Sequence, residues 1–154
     1  MKKRTLALVL ACISTLAQAG PFSNLMGSYA GGGVSEGEGG RNLDQTLANV
    51  SSYLNQSAPV TLDADTRLDR VTSGPGHRLS YHYTLTSVQS KAFKRAEFQK
   101  LIREPLQAKL CSSKEMRSFL VRGVTISYDY LGNDGNRLGA ARFTASDCGL
   151  QPVS

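Results

Sequence analysis

The sequence has few of the residues from which common catalytic and metal sites are built. Its 154 residues include three cysteines and two histidines, with no C-x-x-C pair. A zinc site needs three or four Cys, His or carboxylate ligands, and a redox dithiol needs the missing C-x-x-C motif. We therefore identify no catalytic residue, no metal site and no cofactor, and a non-enzymatic role is favoured.

Long apolar runs are also missing. After residue 16, no run approaches the roughly 18–20 apolar residues that cross a bilayer, so we expect no transmembrane helix. Residues 6–16 form a short apolar run between the basic residues 2–4 and the A-x-A sequence Ala17-Gln18-Ala19. This order is typical of a secretory signal peptide over residues 1–19, cleaved after Ala19. It predicts a periplasmic or secreted protein.

The same segment has a second interpretation, in which Cys12 follows Val9-Leu10-Ala11 as a lipoprotein processing site. Lipidation at Cys12 would place the protein on a membrane, and we expect a membrane anchor only in that case. The apolar run before Cys12 is short, and the A-x-A sequence stands where a signal peptidase cuts. Cleavage after Ala19 is therefore preferred.

Cleavage after Ala19 leaves two cysteines, Cys111 and Cys148. An even pair in an exported chain predicts a disulfide, because exported proteins meet an oxidising environment. The alternative is a reactive cysteine, which no C-x-x-C motif supports. In the chain-entropy description, closing a loop of this length stabilises the fold by roughly 4 kcal/mol.

Positive charge is concentrated in one segment. The net charge of +6 falls to +3 once the signal peptide is removed, which is too low to predict nucleic-acid binding. Residues 91–122 carry nine basic and three acidic side chains, whereas residues 36–69 carry six acidic and two basic ones. These are either two solvated faces of one fold or a basic helical face for an acidic partner or anionic lipid.

Glycine is concentrated between residues 20 and 40. A segment with so few apolar side chains buries too little surface to offset its ordering entropy. We therefore expect residues 20–40 to be a flexible tether and residues 41–154 to form a single folded domain.

The expected helices are one at the start of the domain and two in its middle. The first begins near Asn42 and ends before Pro59; its apolar stripe is formed by Leu43, Leu47, Val50 and Leu54. The other two helices are expected within residues 90–122. Pro105 either breaks the helix, kinks it or lies in the first turn of the second segment. Ser112 and Glu115 resemble a capping box, and Gly123 is the natural residue after the last helix.

Two hairpins complete the pattern. Residues 66–72 and 79–85 flank the turn Gly74-Pro75-Gly76, and residues 124–130 and 138–145 flank a second turn. Apolar and polar residues alternate strictly in residues 79–85 and 124–130, but poorly in residues 66–72. The order α-ββ-αα-ββ predicts an α+β fold, with an antiparallel sheet of about four strands and the helices packed on one face.

Four tyrosines share strand faces with aliphatic residues: Tyr81, Tyr83, Tyr128 and Tyr130. They either pack in the core beneath the helices or form a partly exposed protein-binding surface, in which tyrosine is enriched. The basic segment adds Lys94, Arg95 and Arg103 to this candidate binding surface. A hydrolase alternative would use Asp63, Asp65 or His82, although the carboxylates are also typical of a solvated loop.

An ordered set of short sequences resembles a group of small exported proteobacterial proteins. The resemblance covers roughly residues 43–148 and implies an exported α+β domain with one disulfide, with no catalytic residue to transfer. Its pieces are Pro59-Val60-Thr61-Leu62-Asp63, Thr66-Arg67-Leu68-Asp69, Gly74-Pro75-Gly76, Leu79-Ser80-Tyr81-His82-Tyr83, Leu110-Cys111, Gly123-Val124-Thr125-Ile126-Ser127-Tyr128 and Asp147-Cys148. The architecture is also loosely similar to the disulfide-bonded pilotins of type II secretion, which are typically lipidated.

These observations favour an exported, non-enzymatic protein that acts by binding another envelope or secreted protein. An accessory role in envelope or secretion machinery fits this hypothesis. Two alternatives remain open: a secreted virulence-type factor that acts on host or competitor cells, and a small envelope hydrolase.

Overall fold

The computed structural model describes residues 39–153, with side chains from residue 43 onward. The expected signal peptide and residues 20–38 of the expected tether lie outside the described residues and stay predictions. The elements are α1 (Gly39–Asn55), β1 (Val60–Thr61), β2 (Thr66–Gly74), β3 (Arg78–Leu85), α2 (Arg95–Ser112), α3 (Lys114–Val121), β4 (Thr125–Gly132) and β5 (Arg137–Phe143). Short 3-10 turns lie at Ser90–Ala92 and Ala145–Cys148.

The five strands form one mixed sheet in the order β1-β2-β3-β4-β5. Neighbouring strands are antiparallel except for β3 and β4, which are parallel. The α+β class and both hairpins are therefore confirmed. The predicted antiparallel sheet of about four strands is approximately right, but the sheet also contains the short β1, and its β3–β4 pair is parallel. The parallel pair is possible because the connection through α2 and α3 is long enough to return the chain to the same end of the sheet. Strand β1 was not predicted because two residues are too few to show an alternating pattern.

A bulge explains the poor alternation predicted for β2. Leu68 lies opposite Tyr83 and Arg70 lies opposite His82, so Asp69 is an extra residue in β2. An inserted residue reverses the in-and-out sequence of side chains beyond it. Leu68 and Val71 both point into the core as a result, although they are three residues apart.

The helices and the apolar face of the sheet share one hydrophobic core. The predicted stripe of α1 is buried, and α1 packs mainly against β2. The buried face of α2 packs mainly against β5 and consists of Phe98, Ile102, Leu106 and Leu110. Burying these side chains supplies the hydrophobic stabilisation of the two layers.

The helix boundaries correct three local predictions. The first helix begins at Gly39, three residues before Asn42, so the last two residues of the predicted tether are helical. Pro105 lies inside α2 and does not divide it. The cap of α3 is Ser113 rather than Ser112, and its hydroxyl accepts a hydrogen bond from Met116 N at 3.3 Å.

The predicted disulfide between Cys111 and Cys148 is present. It joins the last turn of α2 to the 3-10 turn that follows β5, where the two Cα atoms are 5.3 Å apart. Gly123, with φ +84°, follows α3 as predicted. Within residues 39–153, no helix is both long and apolar enough to cross a membrane.

Candidate functional site

The four tyrosines of the candidate binding surface form a stacked cluster inside the core. Tyr81 lies opposite Tyr128 across the parallel pair, and Tyr83 lies opposite Tyr130, with ring centroids 5.5 and 5.2 Å apart. Between 4% and 8% of each residue is exposed, and burial raises the pKa of each hydroxyl. The packing interpretation is therefore correct, and the tyrosines do not form an accessible surface.

Arg103, which belongs to the same candidate surface, connects α2 to the last strand and to the turn after it through hydrogen bonds. Its guanidinium donates to Asp147 Oδ1 at 2.6 Å and to the Arg142 carbonyl oxygen at 3.2 Å. It also lies over the ring of Phe143, 5.0 Å from the centroid, a favourable cation–π position. Lys94 and Arg95 lie at the start of α2 and are exposed.

A groove of about 540 Å³ lies between the outward side of α2 and β5. Among the described residues that line it, none is acidic and four are basic: Lys100, Arg103, Arg137 and Arg142. Arg103 is paired with Asp147 and Arg137 with Asp129. Lys100 and Arg142 form no ion pair with a carboxylate of residues 43–153, so no ion pair among these residues neutralises either charge.

The groove follows an edge of the sheet, because β5 is the last strand. Gln99 donates to the Ala140 carbonyl oxygen at 3.1 Å, as Arg103 does to that of Arg142. These carbonyl groups therefore point away from β4. The charge of residues 91–122 predicted the α2 half of this site, whereas Arg137 and Arg142 were not predicted. They are about 40 residues further along the chain, and nothing in their local sequence marks them as neighbours of α2.

A smaller pocket of about 250 Å³ lies on the opposite face of the sheet, around His82. His82 Nε2 lies 2.9 Å from Thr72 Oγ1. Partial burial, and then the charge of Arg70, lower the pKa of His82, whereas Asp129 and Asp69 act in the opposite direction. The net effect favours the neutral imidazole over the charged one. Among residues 43–153, no three His, Cys, Asp or Glu side chains form a metal-binding group.

The structure does not bring Asp63 or Asp65 to His82. Both carboxylates lie in the loop between β1 and β2, where Asp65 N donates to Asp63 Oδ1 at 2.9 Å. The carboxylates whose charges reach His82 are those of Asp129 and Asp69. The three residues of the hydrolase alternative therefore form no joint site.

Comparison with known proteins places this fold in a family. A profile for a domain of unknown function, DUF8479, matches residues 42–139. The chain belongs to the DUF8479 family. The match runs from α1 into β5, so the DUF8479 region includes Cys111, whereas Arg142 and Cys148 lie beyond it. None of the curated protein sequences matches this DUF8479 chain.

Solved structures similar to this DUF8479 protein include a Pseudomonas aeruginosa protein described as secreted, with a TM-score of 0.62 and 21% identity, covering 75% of this chain and 99% of that one. The pilotin EpsS of the Vibrio vulnificus type 2 secretion system has a TM-score of 0.59 and 18% identity, with 73% and 97% covered. The type II secretion pilotin AspS from Vibrio cholerae has a TM-score of 0.55 and 19% identity, with 72% and 96% covered. At these identities the likeness establishes the shared fold.

Proposed function

We propose that this DUF8479 protein is an exported, non-enzymatic binding protein whose partner is another envelope or secreted protein. The groove between α2 and β5 carries this proposal, because it joins an exposed basic helix surface to a sheet edge. Lys94 and Arg95 extend the same charged helix beyond the groove. A surface patch with one sign of charge favours partners of the opposite charge and disfavours others.

An accessory role in a secretion system is the more specific form of the proposal. Two of the structures that share this fold are type II secretion pilotins, and the likeness extends over 97% and 96% of their chains. A whole-length likeness supports an accessory domain of the same kind better than a shared fragment would. Fold alone does not determine function, so the groove must be tested directly.

The proposed location rests on the expected signal peptide and on the disulfide. Cleavage after Ala19 would release the domain to the periplasm or beyond, whereas processing before Cys12 would attach it to a membrane. The Cys111–Cys148 bridge supports an oxidising compartment, because disulfides form and persist there. Mass measurement of the exported chain would separate the two cleavage products.

Photo-crosslinking at the groove tests the binding function. A photoreactive amino acid at Ala96, which lines the groove, should give a discrete adduct with another envelope or secreted protein in the source organism. The same probe at Ser52, an exposed residue of α1, is the matched control and should give none. An exported, folded chain that forms no adduct at Ala96, or equal adducts at Ala96 and Ser52, would contradict the proposal.

A secreted factor acting on other cells is the second candidate, because one structure with this fold is described as secreted. It requires the chain in cell-free culture supernatant. Retention of all the protein in the periplasm would exclude this candidate and leave the envelope role in place.

A further inference from the structure

The β5 edge presents unequal numbers of hydrogen-bond donors and acceptors. The carbonyl oxygens of Ala140 and Arg142 already accept from the side chains of Gln99 and Arg103. In an antiparallel strand, the N–H and C=O of one residue point to the same side. The N–H groups of Ala140 and Arg142 therefore face the groove, on the side where no further strand of the described chain pairs with β5.

The excess of free donors over free acceptors along β5 determines which chemical groups can bind there. An added β-strand needs both acceptors and donors from the edge, and the two carbonyl groups are already engaged. A group that only accepts hydrogen bonds needs the N–H groups alone. An ionised carboxylate accepts on both oxygens and offers no donor.

The charge of the groove favours the same ligand. Lys100 and Arg142 line it and pair with no carboxylate of the described residues. Charge-assisted hydrogen bonds to a carboxylate are stronger than those between neutral groups. Backbone donors and unpaired cations thus lie together along one groove.

The geometry points to a carboxylate-rich segment of the partner protein as the ligand of this groove. Asp or Glu side chains accept from the N–H groups of Ala140 and Arg142 and pair with the side chains of Lys100 and Arg142. The inference rests on the proposed function, since it names the chemistry of the partner at the same site. It assigns β5 a role in recognition through donors and not through strand addition.

Nuclear magnetic resonance with a synthetic probe tests the chemistry. The exported chain, labelled with ¹⁵N, is titrated with a peptide of four Glu-Gly repeats and, separately, with four Gln-Gly repeats. The acidic peptide should shift the amide signals of Ala140 and Arg142 most, and the amide peptide should leave them in place. Raising the ionic strength from about 20 to about 200 mM should weaken binding several-fold, because salt screens exposed charges.

Charge variants locate the binding. Lys100→Gln and Arg142→Gln should each weaken binding of the acidic peptide about two- to fivefold, the range of one exposed ion pair. Arg117→Gln, an exposed cation of α3 outside the groove, is the matched control and should change it little. Equal weakening by all three variants, equal binding of both peptides, or no shift at Ala140 and Arg142 would each overturn the inference.

The inference and the proposed function fail in different ways. If the adduct at Ala96 maps to a partner segment without Asp or Glu, the inference fails and the binding function stands. If the acidic peptide shifts both amides but no adduct forms at Ala96 in cells, the carboxylate chemistry stands and the protein-binding function fails.

Discussion

The side-chain amide of Asn55 binds both backbone polar groups of Val71. Asn55 Nδ2 donates to the Val71 carbonyl oxygen and Asn55 Oδ1 accepts from Val71 N, each at 2.7 Å. The strand β1 pairs with β2 at Arg67 and Leu68. The last residue of α1 therefore continues the hydrogen bonding of this sheet edge beyond β1 and fixes the helix to the strand.

Asn55→Ala should lower the free energy of unfolding by about 1–3 kcal/mol, because it leaves two partly buried backbone groups without their partner. Asn49→Ala is the matched control on the same helix, since Asn49 is exposed and its side chain accepts a hydrogen bond from Gln45 within α1. Its effect should stay within about 0.5 kcal/mol. Urea unfolding of both variants measures the difference, and equal losses would show that the Asn55–Val71 contact does not stabilise the fold.

Reduction of the disulfide should lower the free energy of unfolding of the chain by roughly 4 kcal/mol, because the unfolded chain regains the entropy lost when the loop is closed. A reductant should therefore lower the urea midpoint of the natural protein. It should have no further effect on the double variant Cys111→Ser, Cys148→Ser, which starts at the lower midpoint. Mass spectrometry confirms the linkage, and a natural protein insensitive to reductant would contradict the stabilising role.

Gly139→Ala should lower the free energy of unfolding by about 1–3 kcal/mol, the usual effect of overpacking a core. An added Cβ would lie 2.9 Å from Phe98 Cδ1, where α2 packs closely against β5. Gly74→Ala is the matched control, because an added Cβ there meets nothing within 4 Å. Thermal unfolding separates the two, and a Gly139→Ala protein as stable as Gly74→Ala would show that α2 can move away from β5.

The stability of the domain should depend on His82 below about pH 6.5. Burial lowers the pKa of His82 from its ordinary value of 6.5, so the unfolded chain binds this proton more readily than the folded one. The contribution of neutral His82 to the free energy of unfolding is therefore complete above pH 6.5, and it is lost as the pH falls through the pKa that His82 has in the folded protein. Comparing His82→Gln with the natural protein in urea at pH 7.5 and pH 5 measures it. The natural protein should lose more stability than the variant, and parallel losses would contradict the shift.

Local periodicity was enough to predict most of the elements. The α1 stripe, both hairpins and the alternation of β3 and β4 follow from spacings of two, three and four residues, which the backbone geometry dictates. The pairing of Cys111 with Cys148 followed from the number of cysteines and from the compartment that the predicted signal peptide implies. These predictions depend on short stretches of chain or on composition.

The features that could not be predicted from the sequence depend on contacts between distant segments. Alternation is the same in a parallel and an antiparallel strand, so the pairing of Tyr81 with Tyr128 has no local signal. The groove likewise needs α2 beside β5, and Arg103 lies 39 residues from Arg142. Only the packed structure shows which of the basic residues of α2 face an edge strand.

The covalent ring closed by Cys111 and Cys148 contains α3, β4 and β5, whereas α1, β2 and β3 lie outside it. The β3–β4 pair thus connects a strand outside the ring to a strand inside it. A protease that cuts once in the turn at residues 133–136 would leave a single covalent molecule. A cut at residues 86–94 would leave two fragments held by the sheet and the core alone.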